Sequence, residues 1–193
     1  MPALKRKVDE GNTCGGDENS SGGVGKGNKR SRVDVDEVMQ VWRGVAEGIC
    51  TNARQVGTLE ELVDLTQDAC GEGKVVVRYV GYGATDVGDL AQGEYEGKWA
   101  VVRIKGAKVS RGSHASHCIG CFFDGRRVTF YEPLSDARTA MVKEGAKRLP
   151  IPLRSLLNVL GNPPYDVLHG EQEFKEKDCV FRTCEYVLRE SLS

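Results

Sequence analysis

The chain has 193 residues, 39% of them hydrophobic, and a formal net charge of −1. That is enough apolar material for one domain with a proper core, and the bulk charge singles out no partner. No apolar run approaches membrane-spanning length and no secretory signal pattern is present. Seven cysteines at irregular spacings fit reduced thiols in an intracellular compartment better than a disulfide scaffold.

Residues 1–33 carry seven Lys or Arg against four acids, so this end is basic and the rest of the chain net acidic. The segment is rich in Gly, Ser and Asn and almost free of large apolar side chains, which predicts a disordered tail ahead of one domain over 34–193. Two basic clusters, Lys5-Arg-Lys7 and Lys29-Arg-Ser-Arg32, have the layout of a bipartite nuclear localisation signal. Such patches also serve as weak nucleic-acid contacts.

The pattern over 34–54 predicts a helix, with Val38, Met39, Val41, Trp42, Val45, Ala46 and Ile49 as a broad apolar face. Thr58 and Glu61 have capping-box spacing ahead of a second helix that Gly71 and Gly73 end. Residues 74–82 and 99–104 are β-branched and aromatic enough for strands. Gly81-Tyr-Gly83 lacks the following helix that a phosphate-binding loop needs. Further on, Ser135 or Asp136 can cap a helix to about residue 148, which Pro150 and Pro152 break. A short helix over 153–160, a strand over 165–169 and a last helix complete the chain. Helices, strands, helices, a strand and a helix make an α+β fold with a central mixed or antiparallel sheet.

Within this frame the stretch from His117 to Glu132 is informative. Two apolar runs flank Asp124-Gly125, the strongest short-range hairpin signal. A two-residue turn there pairs Phe123 with Arg126 and sets His117 directly opposite Glu132. Both then share a face with Ile119, Cys121, Phe123, Val128 and Phe130. A carboxylate in reach of an imidazole orients the ring and favours its protonated form.

The second such stretch is Gln172 to Cys179 and the helix after it. Val180, Phe181, Cys184, Val187 and Leu188 form one apolar stripe, with Arg182, Glu185, Arg189 and Glu190 opposite and Glu185 able to pair with Arg189. Cys179 heads this helix, where unpaired N–H groups and the helix dipole favour a thiolate. The charged approach from Lys175 to Asp178 suits a surface nucleophile rather than a core cysteine.

His, then an acid on the next strand, then Gln, then Cys heading a helix resembles the adenovirus-proteinase and SUMO-protease clan of cysteine peptidases. The adenovirus branch is the nearer. It shares Phe130-Tyr-Glu132-Pro133 and a Gln seven residues before the cysteine, here Gln172 and Cys179. Asp178-Cys179 with Cys184 and Tyr186 in the helix is similar to the SUMO-protease branch. The likeness spans roughly 99–188 as scattered motifs. The family pattern has Trp after the histidine and Gly after the cysteine, where this chain has Cys118 and Val180. The resemblance implies a catalytic His117, Glu132 and Cys179, with Gln172 in the oxyanion site. It also implies cleavage at Gly-containing sites of a capsid or polyprotein precursor in the host nucleus, by a protein of viral or mobile-element origin.

A ubiquitin-like deconjugating protease is the alternative substrate class, and an inactive relative serving as an interaction module is another. A third is a zinc module built from His114, His117, Cys118 and Cys121. Against it, Cys118 and Cys121 face opposite sides of a strand because their spacing is odd. His169 reads as an exposed strand end, and His114 as the fallback base. The expected partner is a protein or peptide substrate, with no cofactor and no membrane.

Overall fold

The sheet has five strands in the order β1-β2-β3-β4-β5, so neighbours in sequence are neighbours in space. This computed structural model describes residues 34–51, 58–71, 74–80, 92–110, 113–136, 138–145, 147, 149–173 and 178–193. All of them belong to one compact unit, Val33–Ser193. The expected tail and the Gly81-Tyr-Gly83 motif lie outside the described residues.

The centre of the sheet is antiparallel: β2 (Lys98–Ser110), β3 (Ser113–Phe123) and β4 (Val128–Leu134). β1 (Val75–Val80) joins β2 and β5 (Tyr165–Gln172) joins β4, both in parallel. The fold is α+β, as the order of elements predicts. Strands β2, β3 and β5 are longer than the apolar patterns indicate. Backbone pairing with a neighbour extends them past their hydrophobic centres.

Alternation along the strands builds a core on each face. One face joins Ala100, Val102, Ile119, Cys121, Phe123, Val128, Phe130 and Val167 to Leu153, Leu156 and Leu157 of helix α4 (Ile151–Val159) and to Tyr95 of the short α3 (Gln92–Tyr95). The other buries Trp99, Val101, Cys118 and Tyr131 beneath helices α1 (Val35–Thr51), α2 (Thr58–Cys70) and α5 (Cys179–Leu192). On this side Tyr131 of β4 stacks on Tyr186 of α5, with ring centroids 3.7 Å apart and planes 1° from parallel. Trp42 of α1 gives its Nε1–H to the buried Thr66 of α2 at 3.2 Å.

Three expectations need correction. The hairpin loop has four residues, 124–127, and Phe123 pairs with Val128 instead of Arg126. The Asp124 carboxylate accepts the N–H groups of Arg126 at 2.8 Å and Arg127 at 2.6 Å, and Gly125 takes φ 90°. Those side-chain bonds hold the wider loop. The register therefore shifts by two, and because strand side chains alternate with period two, every residue keeps its predicted face. Among the described residues of 135–148 the expected helix does not form; they make turns and bends, with the Arg138 N–H on the Asp136 carboxylate at 2.7 Å. On α1, Met39, Trp42 and Ala46 are buried, but Val41 and Val45 are exposed. In addition, Glu185 pairs with Arg43 of α1 at 2.5 Å, which ties α5 to α1.

Candidate active site

The carboxylate of Glu132 is fully buried near the end of β4. A buried charge needs partners, and three are supplied. The Leu134 N–H reaches Oε1 at 3.2 Å, the Val142 N–H reaches Oε2 at 3.0 Å, and His117 Nε2 lies 2.6 Å from Oε1. Val142 explains the missing helix, since its N–H grips the carboxylate rather than a helical carbonyl.

His117 is 6% exposed and comes from the opposing strand β3. Extending the ladder past Gly120↔Tyr131 brings His117 opposite Leu134, so Glu132 is its diagonal neighbour. Diagonal pairs are within reach of long side chains. With Nε2 engaged by Glu132, Nδ1 is the nitrogen left for the sulfur of Cys179, with which the ring interacts.

Cys179 begins α5, as expected, and its side chain is half-buried. Helix and sheet are locked together beside it: Thr183, one turn on, donates its hydroxyl to the Cys118 carbonyl at 3.2 Å. Asp178 forms an ion pair with Arg182 at 2.8 Å, and Val180 packs onto the helical core. The first turn of α5 contains no acidic side chain, and its N-cap, Asp178, is paired with Arg182.

The electrostatics follow from these contacts. The Cys118 thiol, hydrogen bonded to Cys179, does most to lower the Cys179 pKa. Burial opposes it, while the hydrogen bond and charge of His117 and the Cys118 N–H add to it, and Cys179 falls to about 5. Burial works against a charged His117, but the Cys179 sulfur and the Glu132 carboxylate outweigh it and lift the imidazole to about 9. Cys118 moves the opposite way, well above the usual thiol range, because it keeps its proton to donate to Cys179. Near neutral pH the pair is thiolate and imidazolium.

Gln172 is buried at the end of β5, where it pairs with Leu134 and its carbonyl accepts the Ser135 N–H at 2.9 Å. It thus closes the strand beside the one that holds Glu132, at the same end of the sheet. His169 is exposed on β5 with Nδ1 3.2 Å from the Leu134 carbonyl, and the side chain of His114 lies outside the described residues.

No family model, curated protein or solved structure matches this chain.

The zinc arrangement conflicts with the packing. Cys118 sits in the core under α5 and Cys121 in the core on the other face of the sheet, so the two cannot share an ion. Among the described residues no three His, Cys, Asp or Glu side chains gather as a metal site. Among them too, no helix is long and apolar enough to cross a membrane.

Sequence reasoning missed Cys118 and Val142 as parts of the site. Alternation held the signal for Cys118: the residue after His117 must face away from Ile119 and Cys121, toward α5. Val142 acts through its backbone, which side-chain patterns do not show.

Proposed function

We propose that the protein is a cysteine endopeptidase of the adenovirus-proteinase and SUMO-protease clan. The observation that supports this best is an imidazole held between a fully buried carboxylate and a thiol at a helix start. Cys179 attacks the substrate carbonyl as thiolate, and the imidazolium of His117 gives its proton to the leaving amine. Glu132 fixes the ring and stabilises its charge. His117 then takes a proton from water, which releases the acyl group from sulfur. Backbone N–H groups at the head of α5 and the Gln172 amide stabilise the oxyanion, and removing one such donor costs about 2.7–4 kcal/mol.

The substrate class comes from the resemblance alone: Gly-containing sites in a capsid or polyprotein precursor, cut in the nucleus. Incubating wild type and Cys179→Ser with Gly-containing peptides and a SUMO conjugate tests the reading. Cleavage of the peptides by wild type and not by the variant is expected. Cleavage of the conjugate alone moves the protein to the deconjugating class, and no cleavage of either removes the peptidase reading.

A further inference from the structure

Beside the nucleophile stands a second thiol that the proposed reaction does not consume. Cys118 is 1% exposed, follows His117 on β3 and packs in the same core cluster as Cys179, whose thiolate its S–H and backbone N–H favour. The Thr183 hydroxyl holds the Cys118 carbonyl, so strand and helix keep the two sulfurs together. We propose that Cys118 and Cys179 are an oxidative modification site, which a hydroperoxide closes into an intramolecular disulfide and a dithiol reopens. This deepens the peptidase reading, because it rests on Cys179 being the reactive thiolate.

The chemistry balances in two steps. The Cys179 thiolate attacks the O–O bond of hydrogen peroxide; an S–O bond forms, hydroxide leaves, and the sulfur is oxidised by two electrons to a sulfenic acid. The Cys118 sulfur then attacks that sulfur, the S–S bond forms, and the sulfenic oxygen departs as water with the Cys118 proton. Because Cys118 packs in the same cluster as Cys179, this second step is expected to outrun further oxidation by peroxide arriving from solvent.

The other described cysteines mark the contrast. Burial pushes Cys121 and Cys184 up to about 12 and raises Cys70 and Cys50, so none of them offers a thiolate at neutral pH. Cys179 is the one that is both half-exposed and ionised. The closed form has no nucleophile, so a reversible disulfide shields the site from irreversible oxidation.

The full chain is treated with a small excess of hydrogen peroxide, then studied by intact mass, non-reducing peptide mapping and alkylation of Cys179 after dithiothreitol. Wild type is expected to lose about 2 Da, to link the Cys118 and Cys179 peptides, and to regain its alkylation on reduction. Cys118→Ser is expected to gain about 32 Da instead, as a sulfinic acid that dithiothreitol does not reverse. The inference is overturned by sulfinic acid in wild type to the same extent as in Cys118→Ser, or by a disulfide from Cys179 to any other cysteine. Should the serine variant fail to fold, the wild-type map decides alone. None of these readouts uses peptide cleavage. A disulfide without peptidase activity therefore sinks only the proposed function, and activity without a disulfide sinks only this inference.

Discussion

Glu132 Oε1 lies 2.6 Å from His117 Nε2, although the hairpin register does not set these two residues opposite each other. The contact is made by side-chain reach across a diagonal, and two backbone N–H groups fix the carboxylate from its other sides. An acid gripped in this way is a firm anchor for an imidazole.

Removing that charge while keeping its shape tests the anchor. Glu132→Gln lowers the pKa of His117 from about 9 toward the ordinary histidine value. It also turns an amide N–H toward a donor, costing about 1–3 kcal/mol of stability. If the proposed peptidase reading holds, peptide cleavage is expected to fall by at least ~10²-fold in kcat/KM, with its alkaline limb shifted to lower pH. A pH–rate profile beside a denaturant melt checks both parts; an unchanged profile rejects the anchor role.

The two shifts fix the pH window. Cys179 is depressed, so its thiolate is present above about pH 5 and lost as pH falls through that value. His117 is raised, so its proton is present below about pH 9 and lost as pH rises through it. On the proposed peptidase reading, cleavage is expected to be flat between limbs near 5 and 9. Alkylation of Cys179 by iodoacetamide should be half-maximal near the lower limb. A half-maximum near the free-cysteine pKa of about 8.5 rejects the ion pair.

Gly170 sits in β5 where a side chain has no room. An added Cβ would stand 2.5 Å from the Tyr131 hydroxyl and 2.7 Å from the Pro133 carbonyl, and backbone cannot swing aside. Gly170→Ala should destabilise by about 1–3 kcal/mol as β5 is forced off β4. Chemical denaturation measures it, and a loss below ~0.5 kcal/mol rejects the tight packing, as that is the range of a neutral surface change.

Thr183 ties α5 to β3 through one buried hydrogen bond to the Cys118 carbonyl. Thr183→Val keeps the volume and deletes the donor, so a loss of about 0.5–1.5 kcal/mol is expected. Thermal melting of the two proteins side by side gives the value. An equal or higher Tm for the variant shows that the bond does not hold the helix.

The sequence on its own determined which residues share a face and that the last helix begins at Cys179. The stripe of Cys184, Val187 and Leu188 set the helix behind Cys179, and period-two alternation from Ile119 to Phe130 set the strand faces. These are local properties, carried by spacing along the backbone. The tertiary structure decided the rest. It replaced a two-residue turn by an Asp124-held loop, diverted the 138–145 segment from helix to Glu132, and gave Glu185 to Arg43 instead of Arg189. It also brought Cys118 against Cys179. Each of these depends on a partner far away in the chain, or on a backbone N–H that no side-chain pattern records, and such partners meet only when the sheet and helices pack.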